Sequence, residues 1–88
     1  MTINIAIAGA GFIANIHAMA IRNQEDANLV AVVEKFPDKS SAFSRKYGIK
    51  RQHATIEKML KVGGVDALIV GSPMLYILHK ASLHSRPE

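Results

Sequence analysis

Apolar residues fall along this chain in short blocks, set apart by polar and turn-forming ones. Ile3-Asn4-Ile5-Ala6-Ile7-Ala8 is aliphatic and β-branched and stops at Gly9. A run of that length suits a strand buried on both faces. From Phe12 to Arg22 the period changes. Ile13, Ile16 and Ala20 share one stripe with Phe12 and Met19 beside it, so the spacing predicts a helix. Residues 23–28 are polar, and Leu29-Val30-Ala31-Val32-Val33-Glu34 is a second strand candidate. Pro37 suits a first helical position and Asp38 a first turn. That helix runs through Ala42, Phe43 and Lys46 to Tyr47, with Gly48 as its stop. A brief strand is expected within Ile49 to Ala54. Thr55 is placed to cap a short helix from Ile56 to Lys61, with Ile56, Met59 and Leu60 facing inward. Val65 to Val70 reads as a third strong strand, ended by Gly71-Ser72-Pro73, and Met74 to Ser85 is expected to be helical.

Strands alternating with helices imply right-handed crossovers and a parallel sheet, an α/β architecture. With 88 residues there is room for one small domain. Hydrophobic residues make up 49% and charged residues 20%, which is a globular balance and not a disordered one. The chain has no cysteine, which rules out disulfides and thiolate metal sites and fits a cytoplasmic protein. Met1-Thr2-Ile3 lacks a basic leader, and no apolar run approaches the ~18 residues a membrane span needs. The net charge of +4 is scattered over Lys39, Arg45, Lys46, Lys50, Arg51, Lys58 and Lys61 with few aromatics between. It reads as a solvated surface and not a nucleic-acid face.

The candidate chemistry sits where the first strand becomes the first helix. Gly9-Ala10-Gly11-Phe12-Ile13-Ala14 fits G-x-G-x-x-A. Gly9 permits a tight turn, Gly11 lets a diphosphate approach the backbone, and Ala14 lets helix and strand pack closely. Phe12 and Ile13 open the helix, whose free N–H groups and positive dipole end suit phosphate. Phe12 either covers the diphosphate or packs against the second helix. Glu34 lies 20 residues past Ala14 at a strand end, where a carboxylate accepts from ribose hydroxyls and repels a 2′-phosphate. That favours NAD. Lys35 beside it is a cation that could pair with the extra phosphate of NADP. Gly71, Ser72 and Pro73 follow a strand whose carboxyl end would line the same crevice. The alternative is that Pro73 only starts a helix.

Three stretches together resemble the Gfo/Idh/MocA family of NAD(P)-dependent oxidoreductases. "IAIAGAGFIANIHAMA" is similar to the family's opening, including His17 three residues after the small residue. "LVAVVEKFPDKSSAFSRKYGI" resembles its second strand and helix, and "TIEKMLKVGGVDALIVGSP" its short helix, Val-Asp-Ala strand and Ser-Pro turn. The resemblance implies a Rossmann-like sheet of order 3-2-1-4, a dinucleotide cofactor, and oxidation or reduction of a sugar, cyclitol or other polyol. It covers Met1 to about Pro73. The Asn that usually follows the proline and the His three residues on are replaced by Met74 and Ile77. The Glu-Lys-Pro segment with its lysine, and the second domain with its Asp and His, have no counterpart here. The resemblance therefore implies residues 1–88 as a truncated dinucleotide-binding domain, with the substrate domain absent and no catalytic residue of its own.

Among the remaining residues, His17 is either a packing histidine or one that shapes the cofactor site, and His53 reads as a surface strand residue. His79 and His84 are five apart, off one helical face, so no metal pair is expected. Met19, Met59 and Met74 sit at apolar positions and are expected in the core. In a 3-2-1-4 sheet the strand ending at Val70 would present an open apolar edge. Self-association through that edge is expected, or else Met74 to Ser85 folds over it. The alternative to a dehydrogenase's nucleotide-binding part is a non-catalytic interaction or dinucleotide-sensing module.

Overall fold

The computed structural model describes residues 2–70, 74–79 and 82–87. The expected alternation is present: β1 (Ile3–Ala8), α1 (Phe12–Arg22), β2 (Ala27–Val33), α2 (Pro37–Tyr47), β3 (Arg51–His53), α3 (Ile56–Val62) and β4 (Ala67–Val70). The stop and start signals act as their chemistry dictates. Pro37 occupies the first turn of α2, and Gly48 closes that helix in the left-handed region at φ 68°. The Thr55 hydroxyl accepts from the Lys58 N–H at 3.2 Å and caps α3.

β1, β2, β3 and β4 are parallel in the order β3-β2-β1-β4. A bulge at Val30 lets Leu29 and Val32 share one face of β2, although they are three residues apart. Two cores result. On one face Ile7 and Val32 meet Ala14, Ala18 and Ile21 of α1 and Phe43 and Tyr47 of α2. On the other, Ala6, Ala31, Val33 and Leu68 meet Met59 of α3. β4 begins two residues later than the apolar run, because Asp66 is used as a tether. Its carboxylate accepts from the Asn4 N–H at 2.8 Å, and its own N–H donates to the Asn4 carbonyl at 2.7 Å.

Two expectations are corrected. The segment after residue 73 is not helical. It forms β5 (Met74–His79) and β6 (Ser82–Pro87), which extend the sheet antiparallel beyond β4. Leu75-Tyr76-Ile77-Leu78 is as much a strand pattern as a helical one. A strand there pairs the outward N–H and C=O groups of β4, which a helix would leave unpaired. The β4 edge is thus covered by this segment, the second of the two outcomes expected for it. Second, Met19 and Leu60 are exposed and outside the core, whereas Met59 is fully buried. The stripe of α1 that meets the sheet is Ala14, Ala18 and Ile21, and Ile13 and Ile16 are half-exposed. Small residues let the helix axis lie close to the strands.

Candidate functional site

Register brings the candidate residues to one end of the sheet. Ala8 pairs with Val33 on one side and with Val70 on the other, and Val33 pairs with His53. The chain therefore leaves β1 and β2 at one level, at Gly9 and Glu34. Hydrogen bonds fasten that row: the Gly9 N–H donates to the Val33 carbonyl at 2.7 Å, and the Glu34 N–H donates to the His53 carbonyl at 2.9 Å. Gly71, Ser72 and Pro73 lie outside the described residues.

The two glycines differ in what they do. Gly9 has φ 102°, a backbone state that residues with a side chain rarely adopt, so the turn itself requires it. Gly11 is the N-cap of α1 with φ −91° and ψ −161°, ordinary extended backbone. A Cβ built there meets nothing within 4 Å. Neither backbone nor packing demands a glycine at this position. What its bare Cα leaves is open space in front of a helix start. No side chain caps α1 and no acid occupies its first turn, so the leading N–H groups at Phe12, Ile13 and Ala14 and the positive dipole end face that space. Phe12 is 78% exposed, so it does not pack against α2, and Ile13 is half-exposed.

Glu34 is half-buried at the end of β2, and its Oε2 accepts from the Phe36 N–H at 3.0 Å. That bond aims the carboxylate while leaving it further lone pairs for hydroxyl donors. Lys35 is exposed, and its ammonium lies 5.1 Å from the centre of the Phe36 ring, with Lys39 at 5.2 Å. A shallow depression of about 360 Å³ adjoins the glycine turn, with Ala10, Gly11 and Asn15 on one wall and Lys39, Phe43 and Lys46 on the other. A larger hollow of about 510 Å³ lies by Asn4, Asn28 and Arg51. It sits at the amino ends of β1 and β2, whereas ligands of open α/β sheets bind at the carboxyl ends.

Sequence reasoning missed Asn15 and Tyr47. The Tyr47 hydroxyl donates to Asn15 Oδ1 at 2.6 Å, and Asn15 Nδ2 donates to the Gly11 carbonyl at 2.8 Å. The spacing of Asn15 from Gly11 was a usable signal, since an amide one turn in can reach back to an N-cap carbonyl. Its link to Tyr47, 32 residues on, had none. His17 is half-buried in α1. His53 is also half-buried rather than on the surface, and Arg51 Nε donates to its Nε2 at 3.2 Å. Burial first, and then the Arg51 charge, hold His53 below the ordinary histidine value.

An uncapped helix start with open space before it and an aimed carboxylate thus stand at one end of the sheet. A family model, GFO_IDH_MocA, described as "Oxidoreductase family, NAD-binding Rossmann fold", matches residues 3–86. The chain belongs to this family. It is 34% identical over 73 residues to inositol 2-dehydrogenase of Rhizobium meliloti (strain 1021), which covers 83% of the chain and 22% of that protein. It is 28% identical over 69 residues to 4-carboxy-2-hydroxymuconate-6-semialdehyde dehydrogenase of Sphingobium sp. (strain NBRC 103272 / SYK-6), with coverage of 78% and 22%. Among solved structures it is similar to scyllo-inositol dehydrogenase from Lactobacillus casei with bound NAD(H) and scyllo-inositol. That likeness has a TM-score of 0.73 at 27% identity, over 83% of this chain and 22% of that one. The chain thus spans about a fifth of the length of the relatives it matches, and the matched part is the NAD-binding Rossmann region of a Gfo/Idh/MocA oxidoreductase. No helix among the described residues is long and apolar enough to cross a membrane.

Proposed function

We propose that this chain holds NAD by its diphosphate and adenosine ribose, as the nucleotide-binding part of a Gfo/Idh/MocA dehydrogenase acting on a sugar, cyclitol or polyol. One observation carries the reading. Gly11 is bare where neither its backbone nor its surroundings require it, at an uncapped helix start in register with Glu34. In this reading Gly9 makes the turn, and Gly11 admits the diphosphate to the N–H groups of Phe12 and Ile13. Glu34 accepts from the ribose hydroxyls and disfavours a 2′-phosphate, while Lys35 supplies the charge by which NADP would compete. Gly71, Ser72 and Pro73 are proposed to complete the crevice beyond β4. Bound NAD supplies the hydride acceptor; this chain's residues bind and orient it. Residues 1–88 are assigned to nucleotide binding, and the substrate domain and acid–base groups are assigned outside them.

The inositol dehydrogenases among the relatives point to a cyclitol as the substrate class, and the cytoplasm is proposed as the compartment. A dinucleotide-sensing or interaction role without turnover is the second reading. It is favoured by the apolar outer face of α1, where Phe12, Ile16 and Met19 are exposed. Self-association, expected at the β4 edge, would fall instead to the outer edge of β6, since β5 pairs with β4.

Calorimetric titration tests the cofactor reading. Saturable NAD binding, tighter than NADP, is expected. Glu34→Ser is expected to weaken NAD roughly tenfold or more, because hydrogen bonds to a charged acceptor are lost, and to narrow its preference over NADP. No saturable binding, or an unchanged preference in Glu34→Ser, overturns it. Adding polyols with NAD and following NADH absorbance separates turnover from sensing, and no turnover by these 88 residues alone is expected.

A further inference from the structure

We infer that Asn15, held by Tyr47, is a positioning residue that pre-sets the glycine turn for the diphosphate; the inference rests on the NAD reading above. The Gly11 carbonyl receives two hydrogen bonds from one residue. The Asn15 backbone N–H donates to it at 3.1 Å, as a helix requires, and Asn15 Nδ2 donates at 2.8 Å. Together they occupy both lone pairs and pin the plane of the Gly11–Phe12 peptide. That peptide is flat and trans, so its N–H points opposite its C=O. With the carbonyl tied down into the helix, the Phe12 N–H is aimed outward into the open space in front of Gly11.

The Asn15 amide is itself fixed. Gly11 O can only accept, so it must face Nδ2, and Oδ1 then faces the Tyr47 hydroxyl at 2.6 Å. Tyr47 is buried, and its ring lies 4.9 Å from that of Phe43 at 57°, so the hydroxyl projects from a rigid base in the core. The last turn of α2 thereby holds the first turn of α1. A turn with glycine at two of its three positions, Gly9 and Gly11, has more backbone freedom than residues with side chains would give it. A ligand that had to order such a turn would bind less tightly, and the clamp removes that cost beforehand.

The test uses Tyr47→Phe, which keeps the ring and removes the hydroxyl, and Asn15→Leu, which removes both side-chain links and leaves the Tyr47 hydroxyl only the Asn15 backbone carbonyl at 3.3 Å. NAD and adenosine are titrated into the isotope-labelled chain and followed by amide NMR, with thermal unfolding as the control for folding. Adenosine engages Glu34 but carries no diphosphate. The NAD dissociation constant is expected to rise about three- to tenfold in each variant, the worth of one or two hydrogen bonds. The adenosine constant is expected to stay unchanged and the Phe12 amide resonance to shift. If Asn15→Leu does not fold, Tyr47→Phe alone decides. NAD affinity within about twofold of the unaltered chain overturns the clamp while leaving the NAD reading standing, and so does an equal loss for adenosine. Failure of the unaltered chain to bind NAD overturns both.

Discussion

In the proposed NAD site Gly11 contributes backbone and open space rather than a side chain. Its φ and ψ are those of an N-cap that Ser, Asp or Asn would fill, and a Cβ there meets nothing. An aspartate at this position would cap α1 and complement its dipole. Gly11→Asp is therefore expected to match or raise stability, by up to about 1 kcal/mol, while abolishing NAD binding by occupying the N–H groups and repelling the diphosphate. Thermal unfolding and calorimetry on one sample check both. A variant that binds NAD normally would place the cofactor elsewhere. The places of Gly9 in the turn, Gly11 at the helix start and Glu34 at the end of β2 were legible in the sequence, because each obeys a local rule of spacing from a strand or helix end. Asn15 was not. It is an ordinary helical residue until Tyr47 arrives from 32 positions away, and the Tyr47–Asn15–Gly11 chain exists only once α1 and α2 are docked.

At the scale of elements, the starts and stops were more legible than the faces. Pro37, Gly48 and Thr55 act through their own backbone and the next turn, so their roles are read one residue at a time. The inward face of α1 could not be read off, because the helix carries two apolar stripes. Ile13, Ile16 and Ala20 form one, and Ala14, Ala18 and Ile21 form the other, which is the buried one. Hydrophobicity alone ranks the first higher; close approach to the sheet selects the smaller residues. The three-residue β3 has a consequence for pH. His53 is held below its ordinary value of 6.5 by burial and by Arg51. The unfolded chain thus binds the proton more readily than the folded one. Stability from this group is complete above the unfolded value and falls as pH drops below it, levelling off once pH passes the folded value. The unfolding midpoint is expected to decline from about pH 7 downward, and His53→Gln to flatten that part of the profile. A decline of the same size in His53→Gln would assign it to other groups.

For the whole molecule, a single sheet with a core on each face means that neither helical layer suffices. Leu68 and Met59 are fully buried on the α3 face, away from α1 and α2. Leu68→Ala is expected to cost about 2–5 kcal/mol, a large part of the total for a domain near ~0.05–0.15 kcal/mol per residue. The urea midpoint should fall accordingly, and a shift worth under ~1 kcal/mol would show this second core to be loosely packed. The sheet edge was the other whole-molecule matter. The sequence left β4 either at an open edge or covered by the segment from Met74 to Ser85, and the structure shows it covered, by strands β5 and β6 rather than a helix.

Read alone, the chain gave away the α/β alternation, the glycine turn after β1 and the acid at the end of β2, because these follow from periods, caps and spacings that span a few residues or one crossover. The parallel order β3-β2-β1-β4 came from the family resemblance and is the order observed. Tertiary structure decided which stripe of α1 faces the sheet, what covers β4, that His53 is half-buried against Arg51, and that Tyr47 reaches Asn15. Each of those depends on distant segments competing for the same surface or the same unpaired backbone groups, and that competition is settled only when the chain closes on itself.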